Sequence, residues 1–113
     1  RNTVAKYLKC VKTVIKYVEN HYAEPLSITT MAGICGFSQS HFMKFFKNNM
    51  EVSFIEYLNN YRLTMASRLL ISSSSSIIAI SMESGFDNLS YFNRLFKKKY
   101  NMTPIQYRNC GQN

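Results

Sequence analysis

Two short sets of polar and basic residues in this sequence have the spacing of a single helix face. Ser40, Met43, Lys44 and Lys47 fall at i, i+3, i+4 and i+7, and so do Ser90, Asn93, Arg94 and Lys97. Side chains at those intervals point to one side of an α-helix. Both sets end in two bases. A helix with hydroxyl, amide and guanidinium groups along one side has the chemistry to read base edges in a DNA major groove. Cations at its end suit the phosphates. One such stripe alone is equally an ordinary solvated face, so its repetition is what carries weight.

The chain offers little for covalent chemistry. Glu51 and Glu56 sit on different elements, and no Ser/His/Asp set or glycine-rich phosphate loop occurs. His21 and His41 are the only histidines, and with Cys35 they match no usual zinc spacing. The expectation is therefore no enzyme, no metal and no cofactor. His41 reads as an exposed side chain near a phosphate and Cys35 as a small buried apolar residue. Cys10, Cys35 and Cys110 are an odd, widely spaced set without a C-x-x-C, which reads as reduced thiols in a cytoplasmic protein.

The elements that must carry the two stripes form an internal repeat. Gly36-Phe37 recurs as Gly85-Phe86, and Ile28, Met31 and Ala32 correspond in the same register to Ile77, Ile80 and Ser81. Beyond the glycines the second copy has one extra residue. Then Ser40, Phe42, Phe46, Lys47, Ser53 and Tyr57 match Ser90, Phe92, Phe96, Lys97, Thr103 and Tyr107. Two copies are too few for a solenoid, so a duplicated small motif is the better description.

Each copy divides into helices. Val11, Val14, Ile15, Val18 and Tyr22 mark an amphipathic helix that Glu24-Pro25 stops. Ser27 can cap a short helix from Ile28 to Cys35, Gly36 suits the left-handed residue that ends it, and Ser38 can cap the next. That is the helix-turn-helix outline. The second copy repeats it, with Asp87 or Asn88 as the cap. Phe42, Phe45, Phe46, Phe92, Leu95 and Phe96 fall opposite the polar stripes, as core positions. Ser53-x-x-Glu56 and Thr103-Pro104-x-Gln106 are capping boxes. From Ser53 a helical pattern without Gly or Pro reaches Leu70, a rod of about 25 Å. Ser72 to Ser76 then read as a flexible connector, with Ser76 able to cap the helix beyond it.

Composition sets the frame. The 113 residues are 46% apolar and carry a net charge of +8, which suits one domain or two very small ones and calls for an anionic partner. Residues 1–22 hold five bases against one acid, residues 23–57 two against three, and residues 58–113 seven against two. No apolar run is long enough for a membrane span. Residues 1–16 mix Lys with apolar residues and do not form a signal peptide, and a first residue other than Met reads as a fragment of something longer.

The pattern Ala32-x3-Gly36-Phe37-Ser38-x-Ser40-x-Phe42-x3-Phe46-Lys47, followed by Arg62-Leu63-x2-Ala66-x2-Leu69-Leu70, resembles the DNA-binding domain of the AraC/XylS family of bacterial transcription regulators. So does Ile80-x4-Gly85-Phe86-x3-Ser90-x-Phe92-x3-Phe96-Lys97-x2-Tyr100-x-Met102-Thr103-Pro104-x2-Tyr107-Arg108, the more specific block. The resemblance implies an all-α fold of about seven helices over residues 1–113. A first helix-turn-helix subdomain (11–50) and a second (76–108) would be joined by a linker helix (53–71). It implies two recognition helices in successive major-groove segments, whose repeat is about 34–36 Å.

Carried over by position, the base-facing residues are Ser40, Met43, Lys44, Leu89, Ser90, Asn93 and Arg94. The phosphate-facing set is Ser38, Gln39, His41, Lys47, Asn88, Lys97 and Lys98. Arg94 suits guanine and Asn93 adenine; Met43 and Leu89 have only apolar surface to offer, to thymine methyls or as groove filling. The second unit, with four bases on its recognition helix against two, is expected to supply more electrostatic affinity. The implied partners are double-stranded DNA, RNA polymerase and a preceding sensing or dimerisation domain, with no membrane. The competing reading is a basic all-helical protein-interaction module, which the Lys9/Lys12/Lys16 stripe keeps open.

Overall fold

The computed structural model describes residues 2–111. Arg1, Gln112 and Asn113, which the 1–113 assignment includes, lie outside the described residues. Seven helices follow one another: α1 (Asn2–His21), α2 (Ile28–Cys35), α3 (Gln39–Met50), α4 (Phe54–Ser72), α5 (Ile77–Glu83), α6 (Leu89–Tyr100) and α7 (Pro104–Gly111). No strand occurs among the described residues, so the all-α expectation holds. One boundary moves substantially. α1 starts at Asn2, well before the Val11 at which the apolar periodicity becomes regular.

The helix ends are set by local chemistry. Ser27 Oγ accepts the Thr30 N–H and Ser76 Oγ the Ala79 N–H, both at 3.1 Å, opening α2 and α5. Ser38 Oγ accepts the His41 N–H at 3.1 Å, and Asn88 Oδ1 the Tyr91 N–H at 2.8 Å, opening α3 and α6. Asn88, not Asp87, is thus the cap of α6. At α4, Ser53 Oγ accepts the Glu56 N–H at 3.1 Å. At α7 the box is reciprocal: Thr103 Oγ1 accepts the Gln106 N–H at 3.2 Å, and Gln106 Oε1 accepts the Thr103 N–H at 2.9 Å. Each such cap contributes about 1 kcal/mol.

The turns repeat as closely. The Phe37 N–H donates to Ala32 O and the Phe86 N–H to Ser81 O, both at 2.9 Å. Gly36 at φ 70° and Gly85 at φ 99° supply the positive φ that this reversal needs.

Two compact units divide the chain, one up to Asn59 and one from Asn60. In the first, Val14 and Val18 of α1, Met31 and Ala32 of α2, Phe42, Phe45 and Phe46 of α3, and Phe54 and Leu58 of α4 are buried together. Phe46 meets Phe54 edge to face at 5.5 Å between centroids, an arrangement favoured by the ring quadrupoles. In the second, Leu63, Ala66 and Leu70 of α4 pack with Ile80, Phe86, Phe92 and Phe96, and Tyr100 and Tyr107 close one side.

Two expectations are corrected. Cys10 and Cys35 are not separate thiols but a disulfide, with their Cα atoms 5.3 Å apart and a sequence separation of 25. Cys10 lies on the buried face of α1 and Cys35 ends α2, so only the packing of one helix on the other brings them together. Cys110 is free and exposed.

The serine run is also more than a loose connector. Ser72 still belongs to α4, and the Ser73 hydroxyl donates to Leu69 O at 2.8 Å. Arg108 Nε donates to Leu70 O at 2.9 Å and Nη2 to Ser73 O at 3.2 Å. The two arginine bonds satisfy the Leu70 carbonyl at the end of α4 and the Ser73 carbonyl just beyond it.

Candidate nucleic-acid interface

α3 is divided cleanly by burial. Phe42, Phe45 and Phe46 face the core of the first unit, while Ser40, Met43, Lys44 and Lys47 are all exposed. The last three of these line a shallow groove of about 330 Å³ with Ile28, Phe54 and Ile55. Met43 is 53% exposed, which places a long apolar side chain in water beside two lysines. The start of the helix is partly committed to its own fold. Ser38 caps it, and the Gln39 amide Nε2 donates to Thr29 Oγ1 on α2 at 2.6 Å. His41 is exposed, with its ring over Phe37 at 4.0 Å between centroids.

α6 repeats the division. Phe92 and Phe96 are buried and Leu95 is half-buried, while Leu89, Ser90, Asn93, Arg94, Lys97 and Lys98 are exposed. Asn88 is exposed too, but its side-chain oxygen is taken by the cap. The guanidinium of Arg94 lies over the Tyr91 ring, 5.2 Å from its centroid. Arg62 of α4, half-buried, faces Asp87 just ahead of the α6 cap. Burial lowers the pKa of its guanidinium and the Asp87 carboxylate opposes that shift. An arginine stays protonated under such a shift, so it remains a fixed positive charge at this point.

Three features escape the sequence reading. Lys99 directs its ammonium to α4, donating to Asn60 O at 3.0 Å and to Thr64 Oγ1 at 2.9 Å. Of the four bases on α6, one therefore serves the fold. Lys6 of α1 brings a cation to the α2–α3 turn, with Nζ 5.9 Å from the Phe37 centroid. Neither contact has a local signal, because the partners are far apart in sequence. The Tyr91–Arg94 pair does have one, since residues three apart meet on a helix surface.

Among the described residues no group of three or more His, Cys, Asp and Glu is placed to hold a metal ion. No helix among them is long and apolar enough to cross a membrane. Lys9, Lys12 and Lys16 are exposed on the side of α1 away from Cys10, Val14 and Val18.

The sequence profile of a family described as a helix-turn-helix domain matches residues 31–109. An uncharacterized HTH-type transcriptional regulator of Staphylococcus aureus (strain COL) is 35% identical over 98 residues, covering 87% of this chain and 13% of that protein. The bifunctional transcriptional activator/DNA repair enzyme AdaA of Bacillus subtilis is 32% identical over 102 residues, covering 90% of this chain and 48% of AdaA. Among solved structures, the C-terminal domain of AraT, a response regulator from Geobacillus stearothermophilus, is similar with a TM-score of 0.83 at 28% identity. That match covers 89% of this chain and 84% of the other. The chain thus spans less than half the length of these two curated relatives.

Proposed function

The chain belongs to the AraC-type helix-turn-helix family of bacterial transcription regulators, and on that premise we propose that it binds double-stranded DNA by sequence to regulate transcription. α3 and α6 each enter a major groove, in successive segments along one face of the duplex. Ser40, Met43, Lys44, Leu89, Ser90, Asn93 and Arg94 face bases. Ser38, Gln39, His41, Lys47, Asn88, Lys97 and Lys98 face the backbone, Ser38 and Asn88 chiefly through the helix starts that they cap.

One observation carries this reading. Two helices with buried phenylalanine faces present matching polar and basic stripes to solvent, each behind a glycine turn of the same hydrogen-bond pattern. A stripe that served solubility alone would have no reason to keep that register twice.

The role asks for no catalysis. The repair activity in AdaA's name belongs to AdaA, of which the match covers 48%. The work is done in the cytoplasm, with RNA polymerase as a further partner and with a sensing or dimerisation domain attached in the complete protein.

A gel-shift salt titration followed by footprinting tests the proposal. A duplex selected from random sequence should be bound with log K falling linearly in log salt, the slope set by the phosphates neutralised. The monomer should protect about two helical turns on one face. Protection confined to one turn would defeat two-groove binding. Affinity indifferent to duplex sequence would favour a general basic module.

A further inference from the structure

We propose that Tyr91 is a positioning residue for Arg94, so that base discrimination by the second recognition helix rests on a cation–π pair and not on the arginine alone. This rests on the DNA-binding reading above.

The pair is supported from below. Phe86, 4% exposed, is anchored in the core of the second unit. The Tyr91 ring meets it at 6.4 Å between centroids, tilted by 58°. Asn88 holds the Tyr91 backbone N–H at 2.8 Å, so the residue is fixed at the rigid start of α6. Tyr91 is 37% exposed, and Arg94, one turn on, lies over its ring. The order is therefore buried Phe86, half-open Tyr91, solvent-facing Arg94.

An arginine in water has many rotamers, and a bidentate contact to guanine uses only a few of them. A ring beneath the guanidinium restricts that freedom before DNA arrives, which lowers the ordering cost of binding. A guanidinium held against the face of a ring can keep the N–H donors that point away from it for the O6 and N7 of guanine.

The first copy lacks the device. Its counterpart to Tyr91 is His41, whose ring lies against Phe37 at 4.0 Å. Its counterpart to Arg94 is Lys44, which has no planar group to stack. Discrimination by orientation is thus a property of the second unit.

The test uses the whole chain, its selected duplex, and a duplex changed at the one base pair whose preference Arg94→Ala abolishes. Tyr91→Leu keeps apolar bulk without a π face, and Tyr91→Phe keeps the ring. Thermal melts of each variant separate folding from binding. Tyr91→Leu should lose about two- to five-fold in discrimination at that base pair, with an unchanged salt slope, and Tyr91→Phe should retain it. Three results would overturn the inference: undiminished discrimination in Tyr91→Leu, an equal loss on every duplex, or a loss in Tyr91→Phe as large as in Tyr91→Leu. An unmodified protein with no preference among duplexes would overturn the DNA-binding reading itself, and this inference with it.

Discussion

Glu51 and Asn101 hold the same left-handed backbone conformation, φ 64° and 60°, at equivalent points of the two repeats. Each directly follows α3 or α6 and gives its N–H to the carbonyl four residues back, Lys47 O at 2.9 Å and Lys97 O at 2.8 Å. The left-handed region costs a residue with a β-carbon about 1 kcal/mol, and Asn tolerates it better than Glu. Glu51→Gly should therefore raise the stability of the first unit by up to about 1 kcal/mol, and Asn101→Gly should raise that of the second by less. Denaturant melts of the two variants check this. A larger gain at Asn101 would contradict the conformational account.

Two glycines of α2 and its turn should respond in opposite directions. Gly33 is inside α2 with nothing within 4 Å of where a β-carbon would sit, and Gly36 has the same open space but a φ of +70°. Gly33→Ala should stabilise by about 0.5–1 kcal/mol through helix propensity. Gly36→Ala should destabilise by about 1 kcal/mol, from backbone conformation alone. Equal effects of one sign in thermal unfolding would show that contacts not present here decide the matter.

The adjacent bases of α6 should separate by role. Lys97 is exposed at the end of the stripe, whereas Lys99 donates to Asn60 O and Thr64 Oγ1. Lys97→Ala should weaken binding to all duplexes alike and reduce the salt slope by about 0.9, one phosphate's worth. Lys99→Ala should leave that slope unchanged and cost about 0.5–1 kcal/mol of stability, the size expected for an exposed charged hydrogen-bonded group. A reduced slope in Lys99→Ala would add it to the phosphate-contacting set.

The disulfide should matter to the first unit. Closing a loop with the sequence separation of 25 from Cys10 to Cys35 is worth about 2–4 kcal/mol in the chain-entropy account. Reduction, or a Cys10→Ser/Cys35→Ser pair, should lower the unfolding midpoint of that unit by a corresponding amount. The two cysteines lie in the core between α1 and α2, so the helices themselves should persist. Full helix loss on reduction at room temperature would show that the bond is required for folding and does more than stabilise.

The caps explain why so much of the fold is readable from the chain alone. Ser27, Ser38, Ser76 and Thr103 open helices where their chemistry says they should, because a cap bond spans only three residues. The same holds for Gly36 and Gly85, and for the buried phenylalanines set against exposed polar stripes. α1 is longer than its periodicity suggests because its first ten residues expose Val4 and Leu8, so that apolar residues there do not mark a buried face.

The helix positions, their duplicated order and the identity of the two solvent-facing stripes are legible along the chain, since they come from periodicity and bonds between near neighbours; the count of seven comes with the family resemblance. Only the folded packing shows that Cys10 meets Cys35, that Lys99 is turned to α4, and that Arg108 bonds the end of α4 and the Ser73 carbonyl beyond it. Those pairings join groups more than twenty residues apart. They come from how helices cross, which no spacing along one helix encodes.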